Sequence, residues 1–192
     1  MNVMDSFRLD GKVAVLTGSA GLFGRQIADA LVEAGARLFI ASRNIDSLEE
    51  QATRMRQDGH DVTAHTLDQG SEESIRMLLD FVLEQAGRVD ILINNSVLRP
   101  MSDWSSPAED FARSMEVNAT GIFMMTRAFG EQMAKQNGGS IINIASIYGM
   151  IGPDFKTARF HLLKRLGGSS AWKHGERARR SDPSGSDHRE AA

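Results

Sequence analysis

The sequence predicts a doubly wound α/β fold built on a parallel sheet, and three observations lead to this class. Strand-type and helix-type patterns alternate along most of the chain. The runs Ile91-Leu92-Ile93 and Ile141-Ile142-Asn143-Ile144 are almost wholly apolar, which is typical of parallel strands covered by helices on both faces. A glycine-rich turn joins the first strand to the first helix. In such folds the ligand crevice lies at the carboxyl ends of the strands.

Hydrophobic periodicity sets the order of the elements. Gly35, Gly59 and Gly87 each follow a helical pattern and are interpreted as helix stops. Ser71, followed by two acids, is interpreted as a helix N-cap. The predicted strands cover residues 13–17, 37–41, 61–66, 89–94 and 140–145, and the predicted helices cover 21–34, 45–58, 71–86, 107–117 and 119–136.

The glycine-rich turn is the most informative stretch. The first strand stops at Gly18, and Gly21 and Gly24 follow before an amphipathic helix begins. Glycine lets backbone N–H groups approach phosphate oxygens, and the helix N-terminus adds a partial positive charge. An ordinary strand-to-helix turn also collects glycine, but the flanking strand and helix favour a pyrophosphate cradle. The predicted apolar face of this helix consists of Leu22, Ile27, Ala28, Leu31 and Val32.

Residues at the ends of the next strands bear on the cofactor. No acid follows the second strand, where Ser42 and Arg43 stand instead. A guanidinium suits the 2′-phosphate of NADP, although an arginine here could also be merely solvated. Asp68 could accept from an adenine amino group or serve as the loop acid before the next helix. The pair Asn94-Asn95 faces either the crevice or solvent. The sequence therefore favours NADP over NAD.

Composition limits the class of protein. With 192 residues, 41% of them hydrophobic, the chain is expected to be one globular domain with a sizeable core. It has no cysteine, which excludes disulfides and thiol catalysis, and no metal site is predicted. No signal-type segment and no run of membrane-spanning length is found, so we expect a cytoplasmic protein without a membrane partner.

Charge divides the chain into a body and a tail. The net charge is −3, but residues 156–192 hold nine Lys/Arg against four Asp/Glu, whereas residues 1–155 hold 13 against 21. The tail has few aromatic residues and interspersed acids, so no nucleic-acid partner is expected. We expect residues 1–155 to form a dinucleotide-binding domain and residues 156–192 to form a basic, poorly ordered tail.

Together these motifs resemble those of the classical short-chain dehydrogenase/reductase family. The similarity covers about residues 8–155 and follows the family's order and spacing. Two departures are mild: Leu22 stands where many members have glycine, and Ser96-Val97 stands where Ala-Gly is usual. The matching pieces are Thr17-Gly18-Ser19-Ala20-Gly21-Leu22-Phe23-Gly24, Ser42-Arg43, Asp68, Asn94-Asn95-Ser96, Val117-Asn118 and Ile144-Ala145-Ser146.

The resemblance implies a Rossmann-like fold and hydride transfer between a nicotinamide and a carbonyl or alcohol carbon of a small-molecule substrate. It implies that Asn118 holds a water in a proton relay and that Ser146 hydrogen-bonds the substrate. It also implies that the cofactor is held by Gly18, Ser19, Gly21, Leu22, Phe23, Gly24 and Arg43, with Asp68 on the adenine and Asn94 beside the adenosine ribose.

The family's proton donor, a tyrosine followed four places later by a lysine, is missing. The chain's one tyrosine, Tyr148, lies two residues after Ser146 and is followed four places later by Gly152. Phe160 stands four places before Lys164 but has no proton to give. We therefore expect turnover to be very weak or absent.

The resemblance stops abruptly near residue 155. We interpret this as truncation or a shift of the reading frame near residue 156, and we expect the sheet to be incomplete at its C-terminal edge. Resequencing the junction tests the idea, because a clean read with no alternative frame encoding Tyr-xxx-Lys would contradict it.

Two functions stay open on the sequence. One is an NAD(P)(H)-dependent oxidoreductase with impaired catalysis. The other is a non-catalytic dinucleotide-binding or interaction module derived from such an enzyme. In either case an exposed last strand would favour a homo-oligomer or association with an intact homologue.

Overall fold

The fold is described from a computed structural model, which covers residues 2–102 and 105–146. The chain divides into two units, Met1–Ile144 and Ala145–Ala192, and the fold described below is that of the first unit. The predicted domain boundary at residue 155, the basic tail and Tyr148 lie outside the described residues and stay predictions.

Strands and helices alternate through the first unit, as predicted, after a short 3-10 helix at Val3–Phe7. The strands are β1 (Val13–Thr17), β2 (Arg37–Ser42), β3 (Val62–Thr66), β4 (Ile91–Asn94) and β5 (Ser140–Asn143). The helices are α1 (Leu22–Glu33), α2 (Ile45–Gln57), α3 (Glu72–Ala86), α4 (Ala108–Met115) and α5 (Gly121–Lys135), and a π-helical turn at Glu116–Thr120 joins α4 to α5. Within the described part of the chain, no helix has the length and apolarity needed to cross a membrane.

The five strands form one parallel sheet in the order β3-β2-β1-β4-β5. The central strand β1 pairs with β2 on one side and with β4 on the other, so that Val15 lies opposite both Phe39 and Leu92. The chain builds outward through β2 and β3 and then crosses back to continue from β4. Because strands are added first on one side of β1 and then on the other, the loops after β1 and β4 diverge and leave a ligand crevice at the carboxyl ends of these strands. The predicted doubly wound α/β fold is thus confirmed.

Helices cover both faces of the central strands. On one face α1 and α2 pack against the sheet, and on the other face α3 and α5 do so. This burial on both faces explains why the central strands read as continuous apolar runs. The side chains that are fully buried include Leu16, Leu38, Phe39, Ile40, Leu48, Leu78, Leu92 and Phe129.

Two expectations about burial need correction. Leu22 is 79% exposed, because it is the first residue of α1 and precedes the part of the helix that packs on the sheet, whereas Ala28 further along is buried. The apolar run 141–144 also predicted a last strand covered on both faces, which is wrong, whereas the expectation of a sheet incomplete at its C-terminal edge is confirmed by β5 as the outermost described strand. It ends at Asn143, and Ile142 and Ile144 are 43% and 44% exposed, because β5 lies at the edge of the sheet.

The helix boundaries follow the predicted signals. Gly35, Gly59 and Gly87 all have positive φ angles, which other residues rarely adopt, and they end their helices as expected. Ser71 accepts a hydrogen bond from the backbone N–H of Ser74 and caps α3. The two helices predicted for 107–136 are present, but the sequence did not indicate the π-helical turn between them.

A buried carboxylate joins the amino ends of β1 and β4. Asp90, just before β4, accepts hydrogen bonds from the backbone N–H of Val13 and from Nε of Arg88, both at 2.9 Å. Lys12 adds a more distant charge at 3.9 Å. Burial acts to raise the pKa of Asp90, but the bonds from Arg88 and Val13 and the neighbouring charges outweigh it and hold that pKa below its usual value.

Candidate functional site

The carboxyl end of β1 carries the predicted glycine turn. Gly18 has a φ of +69°, and its N–H donates to the carbonyl of Ala41 at 2.8 Å. A Cβ on Gly18 would lie 2.9 Å from the Cα of Ser96, so the turn and the loop after β4 approach each other as only glycine allows. A Cβ on Gly24 would overlap the carbonyl oxygen of Gly18 and lie 2.7 Å from the Cα of Ser19. The first turn of α1 therefore packs directly on the glycine turn.

Two polar side chains tie this turn to the loop after β4. The buried hydroxyl of Thr17 accepts hydrogen bonds from the backbone N–H groups of Asn95 and Ser96, both at 3.0 Å. In return, Nδ2 of Asn95 donates to the carbonyls of Thr17 and Gly18, at 3.2 and 3.0 Å. The sequence placed Thr17 in the turn and Asn95 at the crevice or in solvent, but it did not predict that these side chains join the two loops. Their adjacency to Gly18 and Asn94 was the only signal available.

The N-terminus of α1 is open to an anion. Gly21 caps the helix without a side-chain hydrogen bond, and the first turn contains no acidic residue. The N–H groups of Leu22, Phe23 and Gly24 come before the first intrahelical bond, which Arg25 donates to Gly21. Leu22 and Phe23 are 79% and 70% exposed. Free N–H groups at a helix N-terminus, beside glycines that leave room, fit a pyrophosphate.

Ser19 contributes differently from what its position suggested. Its side chain is fully buried, and its hydroxyl donates to Oε1 of Gln51 in α2 at 3.0 Å. The hydroxyl thus anchors the turn to α2. A contact between Ser19 and a cofactor phosphate would therefore use its backbone N–H.

The residues predicted at the adenosine end lie after β2 and β3. Arg43 follows β2 and is exposed, and it forms no ion pair within residues 2–102 and 105–146. Asp68 follows β3 and is also exposed, and its Oδ1 accepts from the backbone N–H of Gly70 at 3.0 Å. That bond is expected of a loop acid before a helix, and it uses only Oδ1. Both interpretations of Asp68 stay open.

Asn94 is held inside the protein. It is 1% exposed, and its Nδ2 donates to Oδ1 of Asn143 in the neighbouring strand β5 at 2.8 Å. A second, longer contact at 3.5 Å reaches the hydroxyl of Thr126 in α5. The oxygen Oδ1 of Asn94 is buried and has no hydrogen-bond partner within the described part of the chain. The amide therefore joins β4 to β5 directly.

Asn118 lies in the π-helical turn and fixes the segment after β4. Its Oδ1 accepts from the N–H of Leu98 at 2.8 Å, and its Nδ2 donates to the carbonyl of Leu98 at 2.7 Å. Nδ2 also reaches the hydroxyl of Ser114 at 3.1 Å. The side-chain amide is thus occupied within the protein, so a water of a proton relay would have to use another group of this residue.

Ser146 belongs to the second unit and lies three residues beyond the end of β5, where it is exposed. Of the predicted residues, the glycines and Ser19 lie in the turn after β1 and the start of α1, and Asn94 lies at the end of β4. Asn118, in the π-helical turn, bonds to the segment after β4. Arg43 and Asp68 stand at the ends of β2 and β3, on the same carboxyl edge of the sheet.

Known proteins resemble this chain in both sequence and fold. A family model described as short chain dehydrogenase matches residues 12–158. The 7alpha-hydroxysteroid dehydrogenase of Escherichia coli K12 is 33% identical over 143 residues, which are 74% of this chain and 56% of that protein. The chain thus spans little more than half the length of this relative.

Solved structures give the same picture. A xylitol dehydrogenase with NAD+ bound superposes with a TM-score of 0.71 at 33% identity, over 76% of this chain and 56% of that one. A gluconate 5-dehydrogenase from Burkholderia cenocepacia in complex with NADP and tartrate superposes with a TM-score of 0.73 at 31% identity, over 79% and 60% of the two chains. Structures similar to this chain therefore include both an NAD+ and an NADP complex.

Proposed function

The chain belongs to the short-chain dehydrogenase/reductase family, and we propose that its glycine turn binds the pyrophosphate of a nicotinamide dinucleotide. We propose further that Arg43 favours NADP over NAD, because only NADP carries a 2′-phosphate. The observation that carries the first proposal is the tied turn after β1. Gly18 meets the loop after β4 at a distance that only glycine permits, and α1 begins beside it without a side-chain cap.

Each predicted residue then has a task toward the cofactor. Backbone N–H groups of the turn and of the first turn of α1 neutralise the pyrophosphate. Arg43 binds the 2′-phosphate, Asp68 accepts from the adenine, and the strand end at Asn94 borders the adenosine ribose. The bound nicotinamide supplies the hydride, while the protein binds and orients it. The substrate is a small carbonyl or alcohol compound, and the protein acts in the cytoplasm.

We propose further that catalysis is impaired. Ser146 would orient the substrate oxygen, but no tyrosine and lysine follow it at the spacing that the resemblance requires. In the family a lysine ammonium lowers the pKa of the tyrosine phenol, which exchanges a proton with the substrate oxygen. Without that pair, no residue is proposed for this proton transfer.

A second candidate function is a non-catalytic dinucleotide-binding or interaction module. The exposure of Ile142 in β5, the outermost strand of the described sheet, and of Ile144 just after it favours this function, since an edge strand with exposed apolar side chains is suited to pairing with another chain. The partner would be a second copy or an intact homologue. Analytical ultracentrifugation of the purified chain, alone and mixed with a full-length relative, tests this candidate.

The cofactor preference is testable at Arg43. We expect Arg43→Ala to weaken NADPH binding by about ten- to a hundredfold, because it removes a charge-assisted hydrogen bond to the 2′-phosphate. NADH, which lacks that phosphate, should bind the variant and the unaltered protein equally. Isothermal titration calorimetry with both dinucleotides measures this. Arg54→Ala, an exposed arginine near the end of α2, is the control and should change neither affinity. Tighter binding of NADH than of NADPH by the unaltered chain would contradict the assignment.

Impaired catalysis gives a second expectation. Purified protein with NADPH and a panel of ketones should oxidise NADPH no faster than the background, since loss of a positioned acid–base group alone lowers rates by about 10²–10⁴. Absorbance at the reduced-nicotinamide band follows the reaction. NADPH at a hundred times its dissociation constant should nevertheless stabilise the fold by about 2.7 kcal/mol, seen as a thermal shift. Steady ketone reduction by this chain would overturn the impairment, and the absence of any thermal shift with either dinucleotide would overturn the binding proposal.

A further inference from the structure

The π-helical turn at Glu116–Thr120 interrupts the helical ladder just where Asn118 stands. Gly121 donates to the carbonyl of Glu116, five residues back, which is the wide spacing of a π-helix. The wider spacing leaves one backbone carbonyl of the helix without its usual N–H donor four residues later. Such a carbonyl needs a donor from another part of the protein, because buried backbone groups are nearly always paired. The carbonyl of Val117 accepts that bond from Nε2 of Gln69 at 2.9 Å.

Gln69 comes from the loop after β3 and is 3% exposed. The same loop is in contact with the start of α5, since a Cβ on Gly121 would overlap the carbonyl oxygen of Gln69 and lie 3.0 Å from its Cγ. Only a glycine at the start of α5 allows this approach. The loop after β3 therefore contacts the π-helical turn through a hydrogen bond and the start of α5 through a close backbone approach.

The contact continues to the crevice. Asn118, next to Val117, exchanges two hydrogen bonds with the backbone of Leu98, and Ser96, two residues before Leu98, lies against Gly18. One connected path thus runs from the loop after β3, through the π-helical turn, to the loops after β4 and β1. Its two ends are the proposed adenine and pyrophosphate contacts.

We infer that Gln69 is a positioning residue that holds the π-helical turn and so fixes Asn118 and the loop after β4 at the dinucleotide site. The inference rests on the proposed function for the identity of the site, but the hydrogen bonds that carry it do not. Nothing in the residue type of Gln69 signals this role in the sequence. It emerges only from the pairing of its amide with Val117.

Amide hydrogen exchange of the full chain tests the inference without ligand. Gln69→Met keeps the length of the side chain and removes the donor. We expect the amides of residues 117–121 and of Leu98 to exchange about five- to tenfold faster in this variant, the change that loss of one such bond produces. The matched control is Gln136→Met, because Nε2 of Gln136 also donates to a backbone carbonyl, that of Val89, and its Oε1 accepts from the Val89 N–H, at the other end of the sheet. The control should leave exchange at 117–121 and Leu98 unchanged.

A second measurement extends the test to the ligand. NADPH affinity should fall several-fold in Gln69→Met, and the double variant with Asn118→Ala should bind no more weakly than Asn118→Ala alone, since both changes break one path. If Gln69→Met does not fold, NMR of the unaltered protein decides instead, through slow exchange of one side-chain amide proton of Gln69. Unchanged exchange in Gln69→Met, an equal change in Gln136→Met, or a rapidly exchanging Gln69 amide would overturn the inference. A chain that binds no dinucleotide but shows the exchange effect would overturn only the proposed function.

Discussion

Gly24→Ala should lower the free energy of unfolding by about 3 kcal/mol, at the upper end of what overpacking costs. The added methyl group would overlap the carbonyl oxygen of Gly18 and press on the Cα of Ser19. Both obstacles are backbone atoms, so no side chain can rotate away to make room. Urea denaturation measures the loss directly, and the thermal midpoint should fall by about 6–12 °C. Because the displaced atoms belong to the proposed pyrophosphate cradle, NADPH affinity should fall by about tenfold or more as well.

A glycine in another helix provides the matched control. Gly130 lies within α5, and a Cβ there would come no closer than 3.6 Å to Cδ1 of Ile141, an ordinary contact. Gly130→Ala should therefore stabilise the protein by about 0.5–1 kcal/mol, because alanine loses less conformational entropy in a helix. NADPH affinity should stay as it is. A Gly24→Ala protein as stable as the unaltered chain would show that α1 does not pack on the turn as described.

Asp90→Asn should destabilise the protein by about 2 kcal/mol at neutral pH. The carboxylate is largely buried and accepts from both Val13 and Arg88, and asparagine offers one uncharged acceptor in its place. The expected loss is modest because the Arg88 side chain is half exposed, so water screens its attraction to Asp90. Dinucleotide affinity should change little, since Asp90 lies at the amino end of the sheet.

The same residue predicts a pH dependence with a definite sign. The pKa of Asp90 is lowered in the folded protein, so its contribution to stability is present above the unfolded value of about 3.9 and is lost as the pH falls through the folded value. The difference in unfolding free energy between the unaltered protein and Asp90→Asn should therefore shrink below about pH 4. Urea titrations across that range provide the measurement. The exposed pair of Asp10 with Arg8 serves as a control, because Asp10→Asn should barely change stability at pH 7. A difference that grows on acidification would contradict the assignment.

The order of the elements could be predicted because burial leaves a direct trace in the sequence. Central strands covered on both faces, such as Ile91–Asn94, read as apolar runs, and helix ends carry glycines such as Gly87 with a positive φ. Periodicity does not report where an element lies in the sheet. For this reason the apolar run around Ile142 wrongly predicted cover on both faces, and only the loss of family resemblance near residue 155 predicted an exposed last strand. Periodicity also does not show which residues of a helix lie before the part that packs on the sheet, and this explains the error at Leu22.

The site was predicted in position more than in detail. Glycine at 18 and 24 follows from backbone geometry, and the structure supplies the atoms that would clash. Side-chain partners are another matter, since a hydroxyl or amide at the crevice can bond to a ligand or to the protein. Ser19 and Asn118 bond to the protein, to Gln51 and to Leu98, across separations of 32 and 20 residues that no local pattern encodes.

The two ends of strand β1 have separate roles, one in stability and the other at the candidate site. Val13 and Thr17 begin and end its five residues, about 13 Å apart at the usual rise per residue. The hydrogen bonds of Asp90 fix the amino end of β1, and those between Thr17 and Asn95 fix its carboxyl end. Substitutions at the amino end can therefore raise stability, and substitutions at the carboxyl end can change ligand preference, with little interference between the two. Such insulation lets a single architecture diversify its chemistry without forfeiting its ability to fold.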